Sequence, residues 1–169
     1  MISINELLQM DEYDRAAYLC EKARNIGKRL DPEYEEMIKI NSKWAYFYAR
    51  YVIEDRWKEA EEYIKKDPYY AYEYARYIIK GRWKEAEEYI MEDSVIAYLY
   101  AKYVIEDKWK EAEEYIKKDP YYAYEYTRYI IKGRWKEAEE YIMEDSVIAY
   151  LYRKFILKKP EAFDSEKII

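Results

Sequence analysis

The stretch Asp67-Pro68-Tyr69-Tyr70-Ala71-Tyr72-Glu73-Tyr74-Ala75-Arg76-Tyr77-Ile78-Ile79-Lys80-Gly81-Arg82-Trp83-Lys84-Glu85-Ala86-Glu87-Glu88-Tyr89-Ile90 reads as two helices and the turn between them. Asp67 is a competent N-cap, and Pro68 suits the first helical position. Helix A is expected to run to about Lys80, with Gly81 taking the left-handed conformation that ends a helix. Helix B is expected from about Arg82 to Met91, after which Asp93-Ser94 caps the next helix A. On helix B, Trp83, Ala86, Tyr89 and Ile90 share one side and Lys84, Glu85, Glu87 and Glu88 the other, the pattern of an outer amphipathic helix with a solvated back. On helix A, Ala71, Tyr74, Ala75 and Ile78 form an apolar stripe that Tyr72 and Ile79 widen. Only Glu73, Arg76 and Lys80 form a polar strip, so this helix is expected between neighbours, with one edge in solvent.

The hairpin recurs. Trp-Lys-Glu-Ala-Glu-Glu-Tyr-Ile begins at Trp57, Trp83, Trp109 and Trp135, a period of 26 residues. Residues 44–95 and 96–147 form a 52-residue duplication with five differences: Trp44/Ile96, Phe47/Leu99, Arg50/Lys102, Arg56/Lys108 and Ala75/Thr127. Asn41, Asp67, Asp93, Asp119 and Asp145 hold the same capping slot. The fold expected is all-α, an α-solenoid of stacked antiparallel helical hairpins with a 26-residue unit and a 52-residue super-repeat. Its parts are an N-terminal helical cap over 1–17, a diverged first hairpin over 18–43, four near-uniform hairpins over 44–147 and a diverged C-terminal cap over 148–169. Pro160, where the next turn is due, suggests that the array stops there.

Stacking aligns equivalent positions into columns. Tyr46, Tyr72, Tyr98, Tyr124 and Tyr150 form one. Tyr51, Tyr77, Tyr103, Tyr129 and Phe155 form another. Arg50, Arg76, Lys102, Arg128 and Lys154 form a basic column between them. Tyr and Arg are the residue types enriched at binding hot spots. The first column and the basic one are therefore the candidate binding residues.

The composition narrows the functions. Among 169 residues there are 25 Tyr, 3 Gly, no His and a formal net charge of −6. Acidity argues against duplex DNA as the main ligand. Missing histidine removes the usual general base and the commonest metal ligand. Cys20, the single cysteine, reads as a small core residue. The glutamates at 59, 61 and 62, with their equivalents, read as a solvated face. The Trp column lies on the buried stripe of helix B and reads as core. Ser3-Ile4-Asn5-Glu6 reads as a capping box. The sequence holds no Gly-rich phosphate loop, no nucleophile beside a base and no metal-ligand spacing, so neither an enzyme nor a cofactor is expected. With no apolar run of membrane-spanning length and no signal-peptide pattern, a cytoplasmic protein away from membranes is expected.

The two-helix unit, with Ala on helix A and Lys-Glu-Ala-Glu on helix B, is similar in architecture to tetratricopeptide-type repeats, although the period is 26 rather than the ~34 of that family. The signature Tyr-Ala-Tyr-x-Tyr-Ala-Arg-Tyr-x-Ile-x-x-Arg-Trp-x-Glu-Ala-Glu resembles short Tyr/Trp-rich helical repeats of bacteriophage-encoded proteins. It is carried, in whole or in part, over 46–61, 72–87, 98–113 and 124–139, and the likeness covers about residues 44–158. This resemblance implies a viral origin, a place in the host cytoplasm and interference with a host system such as antiviral defence. It transfers no catalytic residue.

Three functions follow as expectations. The first is a non-catalytic protein-binding scaffold or inhibitor that grips its partner through the Tyr and Arg columns. The second is capture of an anionic ligand, a nucleotide or single-stranded nucleic acid, on the basic column with Tyr stacking. The third is structural self-assembly, with repeats associating head to tail into homo-oligomers.

Overall fold

A computed structural model of the chain describes residues 2–158. Among these residues all regular structure is helical, and the chain divides into two compact units at Ile90/Met91. The Pro160 stop and the end of the C-terminal cap lie outside the described residues.

The first unit opens with α1 (Ile4–Gln9) and α2 (Glu12–Ile26). Ser3 and Glu6 form the expected capping box on α1. The boundary expected at 17/18 falls inside α2, so the first hairpin begins at Glu12 and pairs α2 with α3 (Pro32–Lys39). Next come α4 (Ser42–Tyr48), α5 (Lys58–Ile64), α6 (Pro68–Tyr74) and α7 (Glu87–Ile90). The second unit holds α8 (Ser94–Tyr100), α9 (Glu113–Ile116), α10 (Pro120–Tyr126), α11 (Glu139–Ile142) and α12 (Ser146–Phe155). In each unit the A helices pack side by side (α2, α4 and α6; α8, α10 and α12); α3, α5, α9 and α11 pack against the A helices before and after them, and α7 packs against α6. Each unit is thus a run of stacked antiparallel hairpins, the arrangement of an α-solenoid.

The caps work as the sequence indicates. The carboxylates of Asp67, Asp93, Asp119 and Asp145 each accept two backbone N–H groups of the following turn, and the side chain of Asn41 accepts one. The helix ends depart from expectation. Each A helix from α4 to α10 closes in a five-residue π-helix: Ala49–Ile53, Ala75–Ile79, Ala101–Ile105 and Thr127–Ile131. The left-handed residue that stops it is Glu54, Lys80, Glu106 or Lys132, with φ of 59°, 58°, 59° and 55°. Gly81 and Gly133 therefore sit one residue past the stop, because the wider π turn places the reversal earlier. In the last three hairpins helix B opens with a 3₁₀ turn (Lys84–Ala86, Lys110–Ala112, Lys136–Ala138) before its short α segment.

The core is built on alanines and large rings. Ala45, Ala49, Ala71, Ala75, Ala97, Ala101 and Ala123 are fully buried, which lets neighbouring helices approach closely. Trp57, Trp83, Trp109 and Trp135 are all buried, as is Cys20. Each Trp meets a tyrosine of its own helix A: Tyr48–Trp57, Tyr74–Trp83 and Tyr100–Trp109 at 5.0 Å between ring centroids, and Tyr126–Trp135 at 5.1 Å. Thr127, which stands where the first copy has Ala75, is buried and donates its hydroxyl to the Ala123 carbonyl at 2.8 Å.

Within each unit, tyrosines at this helix A position tie a hairpin to the one before it. The Tyr74 hydroxyl accepts the backbone N–H of Trp57 at 2.7 Å and donates to Glu61 at 3.1 Å. Glu61 in turn takes two hydrogen bonds of 2.8 Å from Arg56. Tyr48 does the same with the N–H of Leu30 and with Glu35, which Arg29 clamps. In the second unit Tyr126 joins the N–H of Trp109 to Glu113, and Tyr152 joins that of Trp135 to Glu139, itself held by Arg134. The reading of these glutamates as a solvated face is corrected here. Glu59 and Glu62 are exposed, but Glu61 keeps only 14% of its side chain accessible because it answers a buried hydroxyl. Burial works against charge on Glu35, yet the Arg29 guanidinium and the Tyr48 hydroxyl hold its carboxyl below the usual range. Arg134 lowers Glu139 in the same way, against partial burial and with help from Tyr152.

Candidate binding surface

The π-helical last turn of each helix A carries a cation followed by a ring: Arg50-Tyr51, Arg76-Tyr77, Lys102-Tyr103 and Arg128-Tyr129, with Lys154-Phe155 at the end of α12. Their rings reach solvent. Tyr51 is 46% exposed, Tyr77 38%, Tyr103 41%, Tyr129 42% and Phe155 48%. Cations fill the spaces between them. In the first unit the Arg50 guanidinium lies 4.0 Å from the Tyr77 ring centroid and 5.3 Å from Tyr51, and Arg76 lies 5.0 Å from Tyr77. In the second, the Lys102 ammonium lies 4.2 Å from Tyr129 and 5.3 Å from Tyr103, and Arg128 lies 5.5 Å from Phe155. Each such contact at an exposed site contributes about 0.5–1 kcal/mol. Each unit thus presents a column in which cation and ring alternate.

The other tyrosine column lies beneath. Tyr46, Tyr72, Tyr98 and Tyr124 are 1–3% exposed, and Tyr150 is half-buried. Their rings are core, so the stacking platform expected of them passes to Tyr51, Tyr77, Tyr103 and Tyr129. What the buried tyrosines supply is anchorage. Their hydroxyls accept hydrogen bonds from Arg50, Arg76, Lys102 and Arg128, one turn along. The Tyr46 and Tyr98 hydroxyls also donate to Glu73 and Glu125 at 3.1 and 3.2 Å. Glu73 completes the set with an ion pair to Arg50 at 3.5 Å. Burial pushes the Tyr98 phenol up to about 12 and raises Tyr46, Tyr72 and Tyr124 as well, so all four are neutral at physiological pH. Lys154 lies 5.5 Å over Tyr150 and 5.2 Å over Phe155.

The exposed ring column was visible in the sequence as a column but not as the solvent-facing one. A helical wheel supplies the missing signal: at ~100° per residue Tyr77 falls only about 40° from Glu73 on the polar strip, whereas Tyr72 falls about 100° from it, toward the apolar stripe.

This surface is equipped to bind. Flat rings offer apolar area at low entropic cost, and anchored cations offer donors already aligned. Among the described residues no three His, Cys, Asp or Glu side chains gather to hold a metal ion, and no helix is long and apolar enough to cross a membrane. Comparison of the chain with protein families, curated proteins and solved structures gives no match.

Proposed function

We propose that the chain is a non-catalytic helical-repeat protein that binds another protein through the columns of exposed rings and anchored cations that its two units carry. The observation that carries this is the exposure of Tyr51, Tyr77, Tyr103, Tyr129 and Phe155 above an ordered polar base. Hot-spot residues held in one geometry lose little freedom on binding, which favours affinity. The likeness of the repeat to tetratricopeptide-type and phage-encoded repeats extends the proposal to an inhibitor acting on a host system in the host cytoplasm. The test is capture of partners from host lysate by the wild type and by a variant with Tyr51, Tyr77, Tyr103 and Tyr129 changed to Ala. A partner held equally by both sinks the proposal.

A second reading, capture of a small anion, has its own observation. In the second unit a hollow of about 320 Å³ is lined by Arg128, Lys132, Gly133, Phe155, Ile156 and Lys158, three cations and no acid. Binding of inorganic phosphate or a nucleotide there would weaken steeply with salt and disappear in Lys132→Glu.

A further inference from the structure

The face just described is periodic, and periodicity leaves a partner without a register: a cation followed by a ring recurs every 26 residues. One place in the first unit breaks the pattern. A groove of about 610 Å³ opens between α2 and α4, walled by Trp44, Phe47 and Tyr51 and flanked by Lys43 and Arg24, with Glu21 the one acid among its lining residues. Three of these residues are the ones that depart from the repeat. Where this groove has Lys43, Trp44 and Phe47, the next copy has Val95, Ile96 and Leu99, and the third has Val147, Ile148 and Leu151. Two of the five differences within the duplication thus exchange aliphatic for aromatic residues at one spot.

The walls form a continuous aromatic lining. The Trp44 and Phe47 ring centroids lie 5.6 Å apart, and Phe47 stacks on Tyr51 at 5.9 Å with 22° between planes. The cations rest on these rings: Lys43 lies 5.1 Å over Trp44, and Arg24 lies 5.8 Å over Tyr51. Tyr51 belongs both to the groove and to the cation-and-ring column, so a chain lying along that column passes over the groove. A volume of this size suits one bulky side chain with its neighbours.

We infer that the groove sets the register of the partner by receiving one aromatic side chain flanked by acidic residues in an extended segment of the partner protein. The inference rests on the protein-binding reading above. The aromatic ring enters among Trp44, Phe47 and Tyr51. Its acidic neighbours meet Lys43 and Arg24, and further acids meet Arg50 and Arg76 along the column.

The test uses the full chain and two labelled peptides, one with a single phenylalanine among glutamates and one with alanine in its place. Fluorescence anisotropy should show the phenylalanine peptide bound about thirtyfold more tightly, the ratio that a 2 kcal/mol anchor gives. The variant Trp44→Ile/Phe47→Leu carries the residues of the sister copy and should bring the two peptides to near-equal affinity with helix content by circular dichroism unchanged. Phe47→Leu alone, the milder change, should move the ratio in the same direction. Equal binding of both peptides to the wild type overturns the register groove and leaves column binding standing. No binding of either overturns both readings. Binding of adenosine monophosphate in place of the peptides, lost in the same variants, overturns the peptide inference in favour of a small molecule.

Discussion

Removing one oxygen atom at Tyr74 tests how the hairpins are joined. The Tyr74 ring packs on Trp83 of its own hairpin while its hydroxyl holds the Trp57 N–H and Glu61 of the preceding one. Tyr74→Phe keeps the ring and leaves the Trp57 N–H buried without a partner. An orphaned buried donor costs about 1–3 kcal/mol. Glu61 loses one hydrogen bond but keeps both from Arg56, so its own loss is small. The expected destabilisation is about 2 kcal/mol, most of it from the orphaned N–H. The comparison is Tyr77→Phe, which removes a hydroxyl from an exposed ring and should stay within about 0.5 kcal/mol of wild type. Urea denaturation followed by circular dichroism measures both, with an unchanged slope confirming that the unfolding reaction is the same. If Tyr74→Phe and Tyr77→Phe prove equally mild, the hydroxyl does not join the hairpins and the account of the Glu61 set is wrong.

Three further outcomes follow from the same geometry. The Tyr98 and Tyr152 phenols, raised by burial from 10.0 to about 12, stay protonated in the folded chain after an unfolded chain has ionised. Their contribution is therefore complete below pH 10 and lost as pH rises from 10 to 12, at up to ~1.4 kcal/mol per pH unit for each; denaturant midpoints unchanged between pH 9 and 11.5 would contradict this. Lys80→Gly should stabilise by roughly 0.5–1 kcal/mol by relieving a left-handed lysine, and Gly81→Ala by about 0.4–1 kcal/mol, since an added Cβ meets nothing within 4 Å; thermal denaturation showing Gly81→Ala strongly destabilised would return the left-handed role to Gly81. Trp83→Ala should cost about 3–5 kcal/mol, as for a buried ring, and a loss below 1 kcal/mol in denaturant titration would take Trp83 out of the core.

Much of this architecture is written in local chemistry that a sequence displays. Asp67-Pro68 and its equivalents announce helix starts, and they cap as their side chains suggest. The Trp, Ala and Ile spacing on helix B marks the buried stripe correctly. Two features depend on relations that spacing does not carry. One is the winding of residues 75–79, where a π-helix moves the chain reversal to Lys80. The other is the pairing of Glu61 with Tyr74, 13 residues on, which only the packed hairpins bring together. By charge and spacing Glu61 looks like its exposed neighbours Glu59 and Glu62, and a buried hydroxyl sets it apart. The candidate surface was half legible: the columns align as the repeat requires, but residue type alone does not separate the exposed Tyr77 ring from the buried Tyr72 ring.

The most direct test of the proposed function is partner capture compared across two faces of the same fold. One variant changes Tyr51, Tyr77, Tyr103 and Tyr129 to Ala. The other changes the exposed glutamates Glu59, Glu85, Glu111 and Glu137 of helix B to Gln. Quantitative mass spectrometry of captured host proteins should find a partner retained by the wild type and the glutamine variant and reduced at least about tenfold by the alanine variant, the loss expected from removing a hot-spot contact. A partner retained equally by both variants, or lost only when the helix B face is changed, would contradict the assignment of the ring column as the binding surface.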